Sequence, residues 1–389
     1  MKKRKWFLIT CLSLGLILFW HLFLAYTQNA PKSLTLLYSN NINGEIDPCP
    51  SWGPTIRFGG LARRKTWVDD LRQKGKDVLL LDAGDLLFGK FSSPYPKNEL
   101  DRVTEKASLI VESFNLIGYH AAAVGDDDLS LGKKFLVNLS KKANFPFLSS
   151  NLIDQESGKL LFAPSLLKES NGLRIGIFSL LSPDAFISQT DFRKTGLIFL
   201  DPIETAKSMV AKLKPQTDLI ILLSHLGHPK DVQLAQTGPG IHIIAGSHSG
   251  IQLINPPVIQ NAIIIQTSGK GMYGGRFDLT MIDHEGNFYN TATQRSLERN
   301  LLNLQNRLTS VHASETEKLQ LQKAKEETEK KLEQLQGRNH FTNTISPLDG
   351  QIKDDPEIKK RVDTYKAKFP EKGVAPLHDS RGNYTPKTQ

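Results

Sequence analysis

The sequence predicts a layered α/β domain, and three observations carry that prediction. Short apolar runs recur along the chain, each ending in a polar or glycine turn. Segments with helical spacing separate several of them. Strand, turn and helix in repetition build a layered core. Asp, Asn and His residues gather just after the apolar runs, which is where sites form beyond the carboxyl ends of strands.

In chain order, residues 34–38 read as a strand running into the turn Ser39-Asn40-Asn41. Residues 61–74 carry Leu61, Trp67, Val68 and Leu71 on one helical side. Residues 78–81 are four consecutive apolar positions, as in a strand covered on both faces, and stop at Asp82-Ala83-Gly84-Asp85. A helix is expected over 107–117 and a strand over 121–124 before Gly125-Asp126-Asp127-Asp128. Further strands are expected at 147–151, 175–181, 219–223 and 241–245, with a helix at 203–213. Residues 258–281 read as shorter, antiparallel strands with glycine turns.

The ends differ in texture. Lys2, Lys3, Arg4 and Lys5 precede an apolar run over residues 6–26, about 21 residues and so able to span ~30 Å of hydrocarbon. Its basic flank predicts a cytoplasmic N-terminus and an extracytoplasmic domain. An uncleaved signal-anchor is favoured over a secreted protein with a cleaved leader, because the run exceeds a usual signal core and lacks a good small-x-small site. Leu297, Leu301, Leu304, Leu308 and Val311 then space out a long amphipathic helix or hairpin. The expected division is an anchor at 1–30, an α/β domain at 31–292, a helical segment at 293–346 that could present a protein partner or coiled coil, and a polar tail at 347–389.

Composition narrows the function. Lysine and arginine total 49 against 40 acidic residues, a net +9. Four of those positive charges precede the apolar run, so nucleic-acid binding is not expected. Two cysteines, Cys11 and Cys49, exclude a disulfide framework and a multi-cysteine metal site. The strand ends carry Asn41, Asn43, Asp85, Asp126, Asp127, His225 and His248. Oxygen and imidazole donors from separate strands suit a divalent metal, and such centres serve ester hydrolysis.

The order Leu-Leu-Tyr-Ser-Asn-Asn-Ile-Asn-Gly, then Gly59-Gly60-Leu61-Ala62-Arg63-Arg64, then Leu81-Asp82-Ala83-Gly84-Asp85 resembles the 5′-nucleotidase branch of the calcineurin-like metallophosphoesterases. Gly125-Asp126-Asp127-Asp128 sits where that family has Gly-Asn-His-Glu, and Ser224-His225 and Gly246-Ser247-His248-Ser249 match its last motifs. The resemblance implies a four-layer α/β/β/α sandwich with a two-metal centre. It implies Asp85 as the shared ligand, with Asp126, His225 and His248 completing one metal position. Asp127 stands where the family's catalytic His is found.

The departures lie at the other metal position. Asn41 and Asn43 replace a charged Asp and a His, and Gly250 replaces a last ligand. Neutral amides are weaker ligands than carboxylates. The expectation is therefore a phosphoester hydrolase, acting on a phosphate-ester small molecule such as a nucleotide, with an altered single-metal site holding Mn, Zn, Fe or Ca. The alternative is an inactive pseudophosphatase kept as a binding module. Pro48-Cys49-Pro50 resembles a divergent subgroup with a Cys beyond the first motif, which adds metal ligation or redox chemistry at Cys49 as a third reading. The family's separate base-stacking domain has no counterpart after residue 283.

Overall fold

A computed structural model describes residues 31–370, apart from 52, 76, 285 and 310–313. Its strands are β1 (Lys32–Ser39), β2 (Pro48–Ser51), β3 (Gly53–Gly59), β4 (Val78–Asp82), β5 (Ala121–Ala123), β6 (Phe147–Leu148), β7 (Leu152–Asp154), β8 (Ser165–Ser170), β9 (Leu173–Leu181), β10 (Leu197–Phe199), β11 (Leu219–His225), β12 (Ile243–Gly246), β13 (Val258–Ile259), β14 (Ala262–Ile265), β15 (Tyr273–Met281), β16 (Phe288–Asn290) and β17 (Asn339–Pro347). Its α-helices are α1 (Leu61–Gln73), α2 (Leu100–Ile117), α3 (Gly132–Ser140), α4 (Pro202–Leu213), α5 (His228–Gln236), α6 (Thr291–Leu308), α7 (Glu315–Glu333) and α8 (Pro356–Lys368).

Two sheets stack face to face. One runs β16-β17-β15-β1-β4-β5-β6 and the other β13-β14-β12-β11-β9-β8. Alternation along the strands explains why. In β1, Leu34, Leu36 and Tyr38 enter the core between the sheets, while Leu37 faces the helices. In β11, Leu219, Ile221 and Leu223 enter the same central core, and Ile220 and Leu222 face α4 and α5. Three apolar layers therefore separate four layers of structure, α/β/β/α, as the resemblance implied.

The parallel strands set the site. β1, β4 and β5 are parallel in register, with Ser39 beside Asp82 and Asp82 beside Ala122. β11 and β12 are parallel in the other sheet, with Ser224 beside Gly246. Their carboxyl ends thus lie along one edge of both sheets. The expected antiparallel character of 258–281 holds for β15 and for the β13–β14 pair, but β14 also pairs parallel with β12 on its other side; Ala262–Ile265 is an all-apolar run buried inside the sheet.

The C-terminal third differs most from expectation. The helical segment ends at Glu333, and Asn339–Pro347 forms β17, antiparallel to β15. Alternation explains the strand, since Asn339 and Phe341 are buried between less buried neighbours. α6 and α7 form a hairpin tied by Asn300 to Thr328 at 3.3 Å and Arg307 to Glu317 at 3.2 Å. Leu304 and Leu321 are buried within the chain, while Leu302 and Leu319 stay exposed. The hairpin thus uses part of its own apolar seam, and nothing in it shows a partner. Part of the expected polar tail is α8, capped by Asp355, with Ile358, Val362 and Tyr365 buried in the core beside α1 and α2. Among the described residues no helix is long and apolar enough to cross a membrane; the expected anchor over residues 6–26 lies outside the described residues.

Phe341 is 1% exposed and stacks on Phe277 at 5.1 Å between centroids. Phe341→Ala is expected to cost about 3–5 kcal/mol, read as a lower urea midpoint. A loss below about 1 kcal/mol would mean β17 is dispensable to the core.

Candidate metal centre

The turn after β4 carries Asp85. Its backbone is left-handed at φ 57°, and Gly84 before it sits at φ 97°. A Cβ on Gly84 would meet His225 Nδ1 and Gly125 N at 2.9 Å, so the glycine lets the two loops close on each other. Asp128 holds both loops. Its carboxylate accepts from the backbone amides of Asp85 (3.1 Å), Leu86 (2.9 Å), Leu87 (2.8 Å) and Gly125 (2.9 Å). Burial, with the Asp85 charge, pushes the Asp128 carboxyl up to about 8.

The structure brings Asp85, Asp126, His225 and His248 together, with one donor atom from each lying within 4.8 Å of the others. His225 Nε2 is 3.1 Å from Asp126 Oδ1 and 3.3 Å from Asp85 Oδ2. His225 Nδ1 lies 3.2 Å from the Ala83 carbonyl. A carbonyl only accepts, so Nδ1 carries the proton and Nε2 is turned to the carboxylates. His248 Nδ1 approaches Asp126 Oδ1 at 3.3 Å. Burial opposes the imidazolium of His225, yet Asp85 and Asp126 together raise it well above its usual value. Burial likewise opposes the Asp126 carboxylate, but the two histidines hold it well below the usual range. Two carboxylates and two imidazoles converging without a lysine between them fit a borderline divalent cation.

Asn41, Asn43, Asp85 and His248 are all non-glycine residues at positive φ. Such strain persists where the surroundings over-determine it. Asn41 is held by its amide N donating to Gly84 O at 2.9 Å, and Asn43 by its N donating to Asp85 O at 2.8 Å. The side chains then differ. Asn41 Oδ1 accepts from Ser247 Oγ at 2.6 Å and His248 N at 3.1 Å, so both its lone pairs are used. Asn43 Oδ1 is buried with no partner among the described residues, which leaves it open to a ligand.

Cys49 does not come to the centre. It is buried in β2, with Sγ 3.7 Å from Asp47 O, and does not line the cavity that Asp85 and His248 share. Burial and the nearby Glu45 push its thiol up to about 12, the opposite of what a reactive thiolate needs.

Sequence reasoning missed Arg193. It follows Asp191 and Phe192 in a short loop segment with no motif around it. Its side chain is 1% exposed. Asp191 holds it through two contacts, Nε to Oδ1 at 3.1 Å and Nη2 to Oδ2 at 2.8 Å. Nη1 donates to Asp126 Oδ2 at 3.1 Å and Asp127 Oδ1 at 2.8 Å. The guanidinium carbon lies 4.1 Å from the Phe91 ring centroid and 5.0 Å from that of Phe186. The only sequence signal was the run of acids at 126–128, which needs a buried cation somewhere. Asp127, expected as the catalytic residue, also accepts from Phe91 N at 2.9 Å. Burial, then Asp85 and Asp126, push its carboxyl up to about 7.

Asp231 supports the strand under His225. It accepts from Ser224 Oγ, and its Oδ2 is buried without a partner among the described residues. Burial pushes its carboxyl up to about 8. A raised acid favours the fold fully below its unfolded value of ~4 and loses that contribution as pH rises to the folded value. Stability should therefore fall between about pH 4 and 8, and Asp231→Asn should flatten that slope in urea titrations. An unchanged slope would show that Asp231 is not held neutral.

A cavity of about 490 Å³ opens over the centre, lined by Asn43, Asp85, Asp126, Asp127, Arg193 and His248 among others.

No protein-family model matches the chain. It is 32% identical over 281 residues to a 5′-nucleotidase of Vibrio cholerae, covering 63% of this chain and 48% of that protein. Its fold is similar to that of a 5′-nucleotidase precursor from Thermus thermophilus (TM-score 0.62, 22% identity, 86% of this chain and 59% of that one). It is also similar to the calcineurin-like phosphoesterase YfkN from Bacillus subtilis (TM-score 0.59, 18% identity, 87% of this chain and 98% of that one). The chain spans about half the length of the curated relatives it matches. Fold, motif order and these likenesses together support the resemblance to the calcineurin-like phosphoesterases and to their 5′-nucleotidase branch.

Proposed function

We propose that this protein hydrolyses phosphate esters with a single divalent metal. The observation that carries the reading is the convergence of Asp85, Asp126, His225 and His248 at the mouth-facing ends of parallel strands, beside a cavity of about 490 Å³. These four side chains would hold the ion, with Asn43 Oδ1 as a further oxygen. When bound, a divalent ion there would polarise the phosphoryl group and lower the pKa of a bound water.

The chain's own residues do the rest. Asp128 fixes the Asp85 and Gly125 loops from behind, so the ligands need little reorganisation. Arg193 turns Asp126 so that Oδ2 is engaged and Oδ1 faces the histidines. Asp127 lines the cavity with its carboxyl raised to about 7, which suits an acid that gives a proton to a leaving alkoxide near neutral pH. The names of the relatives make nucleoside monophosphates the first substrates to try. The basic flank and apolar run at the N-terminus support an extracytoplasmic site of action, anchored or secreted.

A second reading, a phosphatase fold retained for binding, draws on Asn41, whose oxygen is fully used, and on Gly250, around which a Cβ would meet nothing within 4 Å. One experiment separates the two. Turnover of p-nitrophenyl phosphate and of AMP is measured with manganese, zinc, iron or calcium added, before and after chelation. The hydrolase reading expects activity with at least one metal, loss on chelation, and loss in Asp126→Ala. No turnover with any of the four would favour the binding module.

A further inference from the structure

Resting on the hydrolase reading, we infer that Lys270, with Ser268 and Asn43, forms a phosphoryl-binding subsite in the half of the centre that carries neutral side chains. In that half an ammonium takes the part that a second metal ion would otherwise play.

Charge leads to this assignment. The cavity wall carries the carboxylates of Asp85 and Asp126, which repel a phosphate dianion, with Asp127 beside them. Arg193 is on the same wall, but three carboxylates already share its guanidinium. The remaining lysines on the cavity, Lys90 and Lys270, make no ion pair and donate no side-chain hydrogen bond among the described residues. Lys90 sits on the segment before Phe91, whose amide serves Asp127. Lys270 sits beside the asparagines.

Geometry distinguishes Lys270 from an ordinary surface lysine. Its backbone is left-handed at φ 61°, and its amide donates to the Asn41 carbonyl at 2.6 Å. Asn41 is itself at φ 48°. Two strained residues are thus locked to each other, and strain of this kind marks positions held for a purpose. Gly269 lets the loop close: a Cβ there would lie 3.4 Å from Asn41 Cβ and 3.9 Å from Asn43 Nδ2. Ser268 Oγ is buried with no partner among the described residues, and Ser268 and Asn43 both line the cavity. The Ser268 hydroxyl, the Asn43 Nδ2 amine and the Lys270 ammonium, all on this cavity, are donors matched to phosphoryl oxygens, while Asn43 Oδ1 is left to the ion. Buried polar atoms without partners are uncommon and call for an occupant.

The test is titration of the full chain with inorganic phosphate, with bound metal counted in parallel. Lys270→Gly removes the ammonium and relaxes the positive φ, so folding is retained. It should weaken phosphate binding at least tenfold and raise KM with little change in kcat or metal content. Lys270→Arg should stay within about threefold of the parent. Phosphate affinity within twofold of the parent in Lys270→Gly, or no phosphate binding by the parent, would overturn the subsite. The two readings fail separately. Lys270-dependent phosphate binding without turnover removes the hydrolase and keeps the subsite. Metal-dependent turnover with KM unchanged in Lys270→Gly does the reverse.

Discussion

Arg193→Met is expected to destabilise the domain by about 3–5 kcal/mol, because it leaves a buried set of carboxylates without its cation. Asp126, Asp127 and Asp191 are each less than a tenth exposed and all contact this one guanidinium. Methionine fills the space between Phe91 and Phe186 without supplying charge. Arg193→Lys should rescue little, since an ammonium cannot make the two parallel contacts to Asp191 or lie flat on Phe91. The effect should depend on pH. The carboxylates of Asp191 and Asp126 are held below their usual range, with Arg193 a cause at Asp191. Stability from a depressed acid is present above its unfolded value of ~4 and lost as pH falls through the folded value. The gap between parent and Arg193→Met should therefore be widest near pH 7 and narrow below about pH 4. Urea unfolding at both pH values checks this. A difference under about 1 kcal/mol at pH 7 would show the cluster compensated in another way.

Asp85→Asn is expected to remove hydrolysis by about a thousandfold or more, ~4 kcal/mol of transition-state stabilisation, with the fold intact. Asparagine tolerates the positive φ and keeps an oxygen to accept from Asp127 N, which Asp85 Oδ1 does at 2.9 Å. What it loses is the negative charge beside His225 Nε2. The resemblance implies one such exchange of a carboxylate for an amide at the other metal position, among Asn41 and Asn43. Metal binding should weaken in parallel with kcat/KM. Full activity in Asp85→Asn would mean that the four-residue group is not the catalytic centre.

The sequence showed most where pattern and chemistry coincided. Val78–Asp82 and Leu219–His225 are buried apolar strands that deliver Asp85 and His225, so both strand and donor could be read from one short run. Asp126 and His248 follow for the same reason. The site's electrostatic partner was not legible, because Arg193 reaches the cluster from a loop more than 60 residues away and no local spacing encodes that distance. Cys49 looked reactive from its place near the first motif, but reactivity depends on burial and neighbouring charge, which only the folded chain shows. β17 was hidden because a polar strand resembles the helical sequence before it. Its Phe341 and Asn343 become meaningful only when paired with β15, and its Asn339 when paired with β16.

The proposed centre holds one metal per chain, through Asp85, Asp126, His225 and His248. The most direct test is metal content of the purified protein after incubation with manganese, zinc, iron or calcium and removal of excess, for the parent and for His225→Ala. Close to one equivalent is expected in the parent for at least one metal, and close to none in His225→Ala. No metal above background in the parent, two equivalents, or one equivalent retained by His225→Ala would contradict it.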